Sequence, residues 1–209
     1  MKHPYQMGIP FIISAPSGTG KTSICREIRS IIPGLSFSVS FTTRPKRKDE
    51  KEGEDYFYIS LETFKEMIDK GVFLEWAQVH GHYYGTSKDF VTKEINQGLD
   101  CLLDIDIYGA KNLKKIYPNG IFIFVIPPSL KELRSRLSQR QSEDLDEIHL
   151  RMENAISELW AFEEYQYLII NDNLSRAIEE LKSIILAERC RIQRRRAFIL
   201  DILKSRVTR

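Results

Sequence analysis

Pro10-Phe11-Ile12-Ile13-Ser14-Ala15-Pro16-Ser17-Gly18-Thr19-Gly20-Lys21-Thr22 is a short apolar run that ends in small residues and passes into a helical pattern. A strand, a tight loop and a helix N-terminus follow one another in the order a phosphate-binding loop requires. Glycines let successive backbone N–H groups turn inward on an anion, and the helix behind adds the positive end of its dipole. Lys21 then supplies a mobile point charge for β- and γ-phosphates, and Thr22 a hydroxyl ligand for Mg²⁺. Ala15 stands where the pattern G-x-x-x-x-G-K-[ST] has its first glycine. Ala15, Pro16, Ser17, Gly18, Thr19, Gly20, Lys21, Thr22 and Ser23 are therefore the expected site of a nucleoside triphosphate.

Downstream, Ile24, Ile28, Ile31 and Ile32 recur at helical spacing, and Pro33-Gly34 stops them. Residues 35–41 alternate apolar and hydroxyl side chains as one strand, with Ser38 and Ser40 on the same face. Thr42-Thr43-Arg44-Pro45-Lys46-Arg47-Lys48 begins where that strand ends, the place where α/β folds put their ligands. Most charged runs are solvated loops. Two arginines three apart beside hydroxyls also suit a phosphate monoester, because guanidinium forks bind phosphate bidentately. Residues 56–60, 72–79 and 82–86 read as short strands, and 61–70 and 88–96 as short helices. This rhythm marks residues 42–98 as an insertion with its own small substrate domain.

Residues 101–106, Cys-Leu-Leu-Asp-Ile-Asp, form an apolar strand ending in two carboxylates. An acid there can hold Mg²⁺ or orient its waters, and Asp106 can equally cap the helix that follows. Residues 121–126 read as a fully buried parallel strand. Arg134, Arg136 and Arg140, with Arg151 beyond an acidic linker, make a cation-rich segment suited to a lid over a transferring phosphoryl group; surface arginines are its bland reading. Ile148, Met152, Ile156, Leu159 and Trp160 mark an amphipathic helix. Residues 167–170 read as the last buried strand, and a final helix runs on into the tail. The whole is an α/β chain, a doubly wound parallel sheet of about five strands.

With 209 residues the chain is long enough for one such domain plus an insertion. Its net charge of +2 argues against wholesale nucleic-acid or membrane binding, but the basic surface is local. Residues 187–209 hold eight Arg/Lys against Glu188 and Asp201. A surface helix or self-association contact is favoured there over nucleic acid, since Ile192, Ile199 and Leu203 share a helical face. Cys25, Cys101 and Cys190 lack paired spacing and read as reduced thiols, and neither a signal peptide nor a long apolar span is seen. A cytoplasmic protein is expected.

Several of these stretches together resemble guanylate kinases: residues 15–22, Ser38-Val-Ser-Phe-Thr-Thr-Arg44-Pro-Lys-Arg47, Gly53-Glu-Asp-Tyr56, Glu75-Trp-Ala, Tyr83-Tyr84-Gly85-Thr86, Leu103-Asp-Ile-Asp106, Ile126-Pro-Pro-Ser129 and Asn171-Asp172. They occur in that family's order, from about residue 10 to 186. The resemblance implies ATP + GMP ⇌ ADP + GDP with Mg²⁺. It implies a P-loop core (1–41, 99–137 and 151–209), a GMP-binding insertion (42–98) and a helical lid (138–150). It would put Ser40, Glu75, Thr86 and Asp106 on guanine, and Arg44, Arg47, Tyr56 and Tyr84 on the GMP phosphate. Lys21, Arg44, Arg136, Arg140 and Arg151 become the catalytic set, and Asn171 lies near adenine. Gln141 stands where a lid glycine is expected. Non-catalytic guanylate-kinase-like interaction modules are the alternative; they are expected to lose the loop's lysine and hydroxyl, which are intact here.

Overall fold

Side-chain alternation along buried strands decides which helices cover which face of the sheet. The computed structural model describes residues 7–79, 81–139 and 145–205. The chain opens with β1 (Pro10–Ser14), α1 (Lys21–Ile31) and β2 (Leu35–Ser38). A middle stretch carries β3 (Ser40–Thr42), β4 (Tyr56–Tyr58), α2 (Leu61–Asp69), β5 (Phe73–Val79), β6 (His82–Ser87) and α3 (Lys88–Asn96). Then come β7 (Asp100–Asp104), α4 (Ile107–Ile116), β8 (Ile121–Ile126), α5 (Leu130–Gln139) and α6 (Leu145–Leu159). A 3-10 turn (Trp160–Glu164), β9 (Tyr167–Ile170), α7 (Leu174–Arg189) and α8 (Ile192–Lys204) complete it.

The core sheet has the order β2-β7-β1-β8-β9, and every pair is parallel. Phe11, Ile13, Leu102, Ile123 and Val125 face α1 and α7, meeting Ile24, Ile28, Leu181 and Ile185. Their neighbours Ile12, Cys101, Leu103 and Phe122 face the other way, onto Val91 and Ile95 of α3 and Ala110 and Leu113 of α4. This is the expected doubly wound α/β sheet, and it aims the end of its central strand at the phosphate loop. No helix among the described residues is long and apolar enough to cross a membrane.

A second sheet, β4-β3-β6-β5, is built on aromatic pairs. Phe41 stacks on Phe57 at 4.9 Å, and Phe64 of α2 on Phe73 at 4.5 Å. The small sheet meets the core in two ways. Its β5 edge packs on α4, with Leu74 against the α3/α4 side of the core. At the other end Arg26 of α1 pairs with Asp55 at 2.7 Å, and Arg29 donates to the Glu54 carbonyl.

Several local expectations change. The single strand over 35–41 is two strands in two sheets: β2 pairs with β7, while β3 pairs with β4 and β6. Val39 is the handover, so Ser40 and Phe41 go with the second sheet. A period-2 pattern is blind to such a change, because the backbone stays extended through it. Helix α3, read with the insertion, buries Val91 and Ile95 on the core sheet. Strand β9 is an edge strand with Leu168 and Ile170 about half exposed. Ile156 and Trp160 do not join the packing face of α6, which is Met152 and Ala155 against Leu133 and Leu137. The final helix breaks at Cys190–Arg191, where the backbone turns extended, and α8 buries none of its side chains. Of the expected lid, residues 140–144, including Arg140 and Gln141, lie outside the described residues.

Candidate active site

Helix α1 starts without a side-chain cap: Gly20 precedes it in a left-handed conformation at φ 91°. Its first N–H groups are thus left for an anion. Gly18 also has positive φ (88°), and a Cβ there would meet Leu137 of α5 at 2.8 Å. The Thr19 hydroxyl donates to the Pro16 carbonyl at 2.9 Å and closes the loop. Residues 15–22 line a cleft of about 200 Å³ together with Ser40, Arg44, Arg47, Tyr56, Glu75, Tyr84, Asp104, Asp106 and Glu158.

Lys21 is held at the end of β7. Its ammonium pairs with Asp104 and donates to the Ile105 carbonyl at 2.8 Å. Burial works against the charged form, but Asp104 outweighs it and holds the Lys21 pKa above its ordinary value. Asp106 caps α4: its Oδ1 accepts from the N–H groups of Tyr108 (2.8 Å) and Gly109 (3.0 Å).

Glu75 reaches the cleft from the small sheet. The β5–β6 register shifts between Phe73 and Glu75, leaving Leu74 as an extra residue. Such a bulge re-aims side chains: Leu74 packs on the core, and Glu75 lies opposite Thr86. The Thr86 hydroxyl donates to Glu75 Oε1 at 2.5 Å, while the buried Oε2 has no hydrogen-bond partner. Burial pushes the Glu75 pKa up to about 7, against the pull of Thr86 and Lys21 and with the push of Asp106. Ser40 and Thr86 are likewise buried.

Arg44 is aimed by the hydroxyls before it. The Thr42 hydroxyl accepts from the Arg44 N–H at 3.1 Å and donates to the Tyr83 carbonyl, and Thr43 accepts from the Tyr83 N–H. The guanidinium lies over the Tyr56 ring at 5.4 Å and donates to Glu50 Oε1 at 2.7 Å. Burial opposes the Glu50 charge, yet Arg44, the Arg47 N–H and the Tyr58 hydroxyl together hold its carboxyl at about 2. Tyr56 and Tyr84 pack edge to face at 5.9 Å.

Two other sequence-predicted residues grip the loop from behind. Arg136 donates to the carbonyls of Thr19 (3.2 Å) and Asn171 (3.0 Å) and pairs with Glu132. Asn171, 5% exposed, donates from Nδ2 to the Thr19 carbonyl at 2.7 Å. They line a separate recess with Gly18, Gly20, Ser23 and Asp172. Arg151 of α6 donates to the Ser17 hydroxyl at 3.3 Å.

The family model for guanylate kinase matches residues 7–188. The chain belongs to the guanylate kinase family. A guanylate kinase from Geobacter metallireducens is 51% identical over 88% of this chain and 91% of its own length. One from Caldanaerobacter subterraneus is 44% identical over 97% and 98%. The crystal structure of the Anaplasma phagocytophilum guanylate kinase superposes with a TM-score of 0.78 at 28% identity, covering 90% of each chain. Phosphoryl transfer from ATP to GMP is the reaction of the guanylate kinase family, and such kinase chemistry generally needs a divalent metal. Among the described residues no cluster of three His, Cys, Asp or Glu could hold a metal ion alone. Thr22 and Asp104 offer hard oxygen donors beside the loop, which fits an ion carried largely by substrate phosphates.

Sequence reasoning missed two carboxylates in this guanylate kinase site. Glu50, hidden in a charged run, is the partner of Arg44. Glu158 on α6 lines the cleft beside Ser17, and burial raises its pKa against the pull of the Ser17 backbone. Glu50 stood in an unbroken run of charges from Asp49 to Glu52, where nothing in the sequence sets one carboxylate apart; Glu158 lay on a helix chosen only for its apolar spacing.

Proposed function

We propose that this chain transfers the γ-phosphoryl group of ATP, with Mg²⁺, to GMP. One observation carries the choice of acceptor: a buried carboxylate with an unpaired oxygen, Glu75, lines the same cleft as the phosphate loop. Guanine presents N1–H and the N2 amino group side by side, and a carboxylate accepts from both. Thr86 holds one carboxylate oxygen in place, and Ser40 and Asp106 complete the base site. Arg44, Arg47, Tyr56 and Tyr84 take the GMP phosphate. The loop residues Ala15 to Ser23 take the triphosphate, and Asn171 borders the recess for adenine.

Mg²⁺, carried by the phosphates near Thr22 and Asp104, would neutralise charge developing on the transferring group. Lys21 leaves Asp104 for the phosphates, and Arg136 and Arg151 add positive charge around the loop; Arg140, expected with them from the sequence, lies outside the described residues. The acceptor oxygen of GMP is ionised at neutral pH, so the chemistry asks for positioning more than for a strong base. The insertion 42–98, apart from α3, which packs on the core sheet, closes on the core 1–41, 99–137 and 151–209 when both nucleotides bind. Small-angle scattering should then show compaction with GMP plus a non-hydrolysable ATP analogue, and not with either alone to the same extent. Three unpaired cysteines accord with a cytoplasmic setting.

The deciding experiment is a coupled assay offering GMP, dGMP, AMP, CMP and UMP with MgATP. GMP is expected to exceed AMP by about 10³-fold or more in kcat/KM, because the wrong base strands a buried polar group. Comparable rates for GMP and AMP would overturn the reading.

A further inference from the structure

Gly109 sits in the first turn of α4 and is buried. Its backbone is ordinary helix, outside the positive-φ region that demands glycine, and in a helix interior alanine is the more stable choice. Backbone conformation therefore gives no reason for a glycine here. Space does. A Cβ at 109 would come inside 3.0 Å of Glu75 Oε2, and to 2.7 Å from Ile105 Cγ2 and 3.1 Å from Glu75 Cδ. Two of the three atoms in the way belong to one carboxylate. Other crowded glycines differ in kind: Gly85 makes room for Phe73 and Phe64, and Gly8 for the Leu99 carbonyl.

We propose that Gly109 is a positioning residue for base specificity: the missing side chain on α4 is the space in which the Glu75 carboxylate lies when it meets guanine. Helix α4 and strand β5 pack directly on each other, so the carboxylate cannot yield by moving its strand away. Thr86 fixes Oε1 from the opposite side at 2.5 Å. The carboxylate is thus held between a hydroxyl on β6 and a bare Cα on α4. The Asp106 cap, bonded to the Gly109 N–H, ties that Cα to the end of β7. A methyl group at 109 turns Glu75 out of this slot while leaving the phosphate loop untouched.

The inference rests on Glu75 reading guanine, and the experiment separates the two claims. GMP and AMP kinetics are measured for Gly109→Ala, Glu75→Gln, Glu75→Asp and Gly109→Ala/Glu75→Asp, with thermal stability of each. Gly109→Ala should lower kcat/KM for GMP by about tenfold or more, mainly through KM, and leave AMP within about twofold. Shortening the side chain by one methylene withdraws the carboxylate by about 1.5 Å. Glu75→Asp should therefore impair GMP alone, yet raise it severalfold in the Gly109→Ala background. If Glu75→Gln erodes the GMP:AMP ratio and Gly109→Ala does not, the spacer role is wrong and the base reading stands. If Glu75→Gln leaves the ratio unchanged, the base reading itself has failed. Should Gly109→Ala fold poorly, the stability of Gly109→Ala/Glu75→Ala decides. Restored stability upholds the crowding of Glu75, and an equal defect assigns the crowding to Ile105 and overturns the proposal.

Discussion

Lowering the pH from 8 to 6 should dismantle base selection without touching the rest of the site. Burial holds the Glu75 pKa at about 7, so about nine-tenths of the empty protein is ionised there at pH 8 and about one-tenth at pH 6. The protonated form loses an acceptor and turns an O–H toward the guanine donors. GMP kcat/KM should fall about tenfold from this cause alone. The same O–H can donate to adenine N1, so AMP moves the other way and the GMP:AMP ratio falls by about 10- to 100-fold. Taking the ratio cancels titration of the acceptor phosphate, which both substrates share. The assay is steady-state kinetics with both substrates from pH 6 to 8, on the protein and on Glu75→Gln. A ratio flat with pH in the unmodified protein, or one equally steep in Glu75→Gln, would refute the reasoning. Stability gives an independent check. The folded pKa lies above the ordinary 4.5, so the folded form keeps its proton longer than the unfolded one. The resulting penalty is absent below pH 4.5, grows between 4.5 and 7, and reaches about 3 kcal/mol above that. Glu75→Gln should raise the stability of the nucleotide-free protein at pH 8 and change it little at pH 4.

Lys21→Ala removes the charge that now faces Asp104 and the Ile105 carbonyl; kcat should drop about 10³-fold, read by the coupled assay, with GMP binding by calorimetry nearly unchanged. Arg189 pairs with the buried Asp100 at 2.6 Å, whose other oxygen accepts from the Ile9 N–H at 2.7 Å. Arg189→Ala strands that carboxylate and should lower stability in urea by about 3 kcal/mol while sparing activity per folded molecule. Ending the chain after Arg189 removes α8, which buries no side chain; kcat should stay within about threefold, and light scattering should register any change in self-association.

The phosphate loop was legible because each of its residue types answers a backbone or charge requirement within 13 positions. Gly18 and Gly20 take positive φ, and Lys21 and Thr22 follow on the first turn of α1. The parallel sheet was legible from apolar runs such as 121–126. What stayed hidden depends on partners distant in sequence. Nothing near Val39 announces a handover between sheets, since both sides of it are extended. No local signal pairs Arg44 with Glu50 rather than with solvent, or brings Glu158 to Ser17. Asn171 was expected beside adenine, and its amide is engaged by a carbonyl 152 residues away. The bulge at Leu74 was invisible too, because one extra residue leaves no mark on a short alternating pattern.

The two attachments of the small sheet are unequal in strength, and this orders events. Arg26–Asp55 is an ion pair whose arginine is half exposed although its carboxylate is buried, worth about 1 kcal/mol. Leu74 on the core adds about 1–2 kcal/mol by itself and cannot part from α4 without exposing apolar surface. Any opening therefore begins at the polar end, with the β5–α4 edge as fulcrum. Glu75 lies on that fulcrum, whereas Arg44, two residues past the end of β3, and Tyr56 on β4 lie away from it. On the proposed assignment of the site, guanine would meet the fixed edge of the small sheet, and the acceptor phosphate would travel with the end that swings.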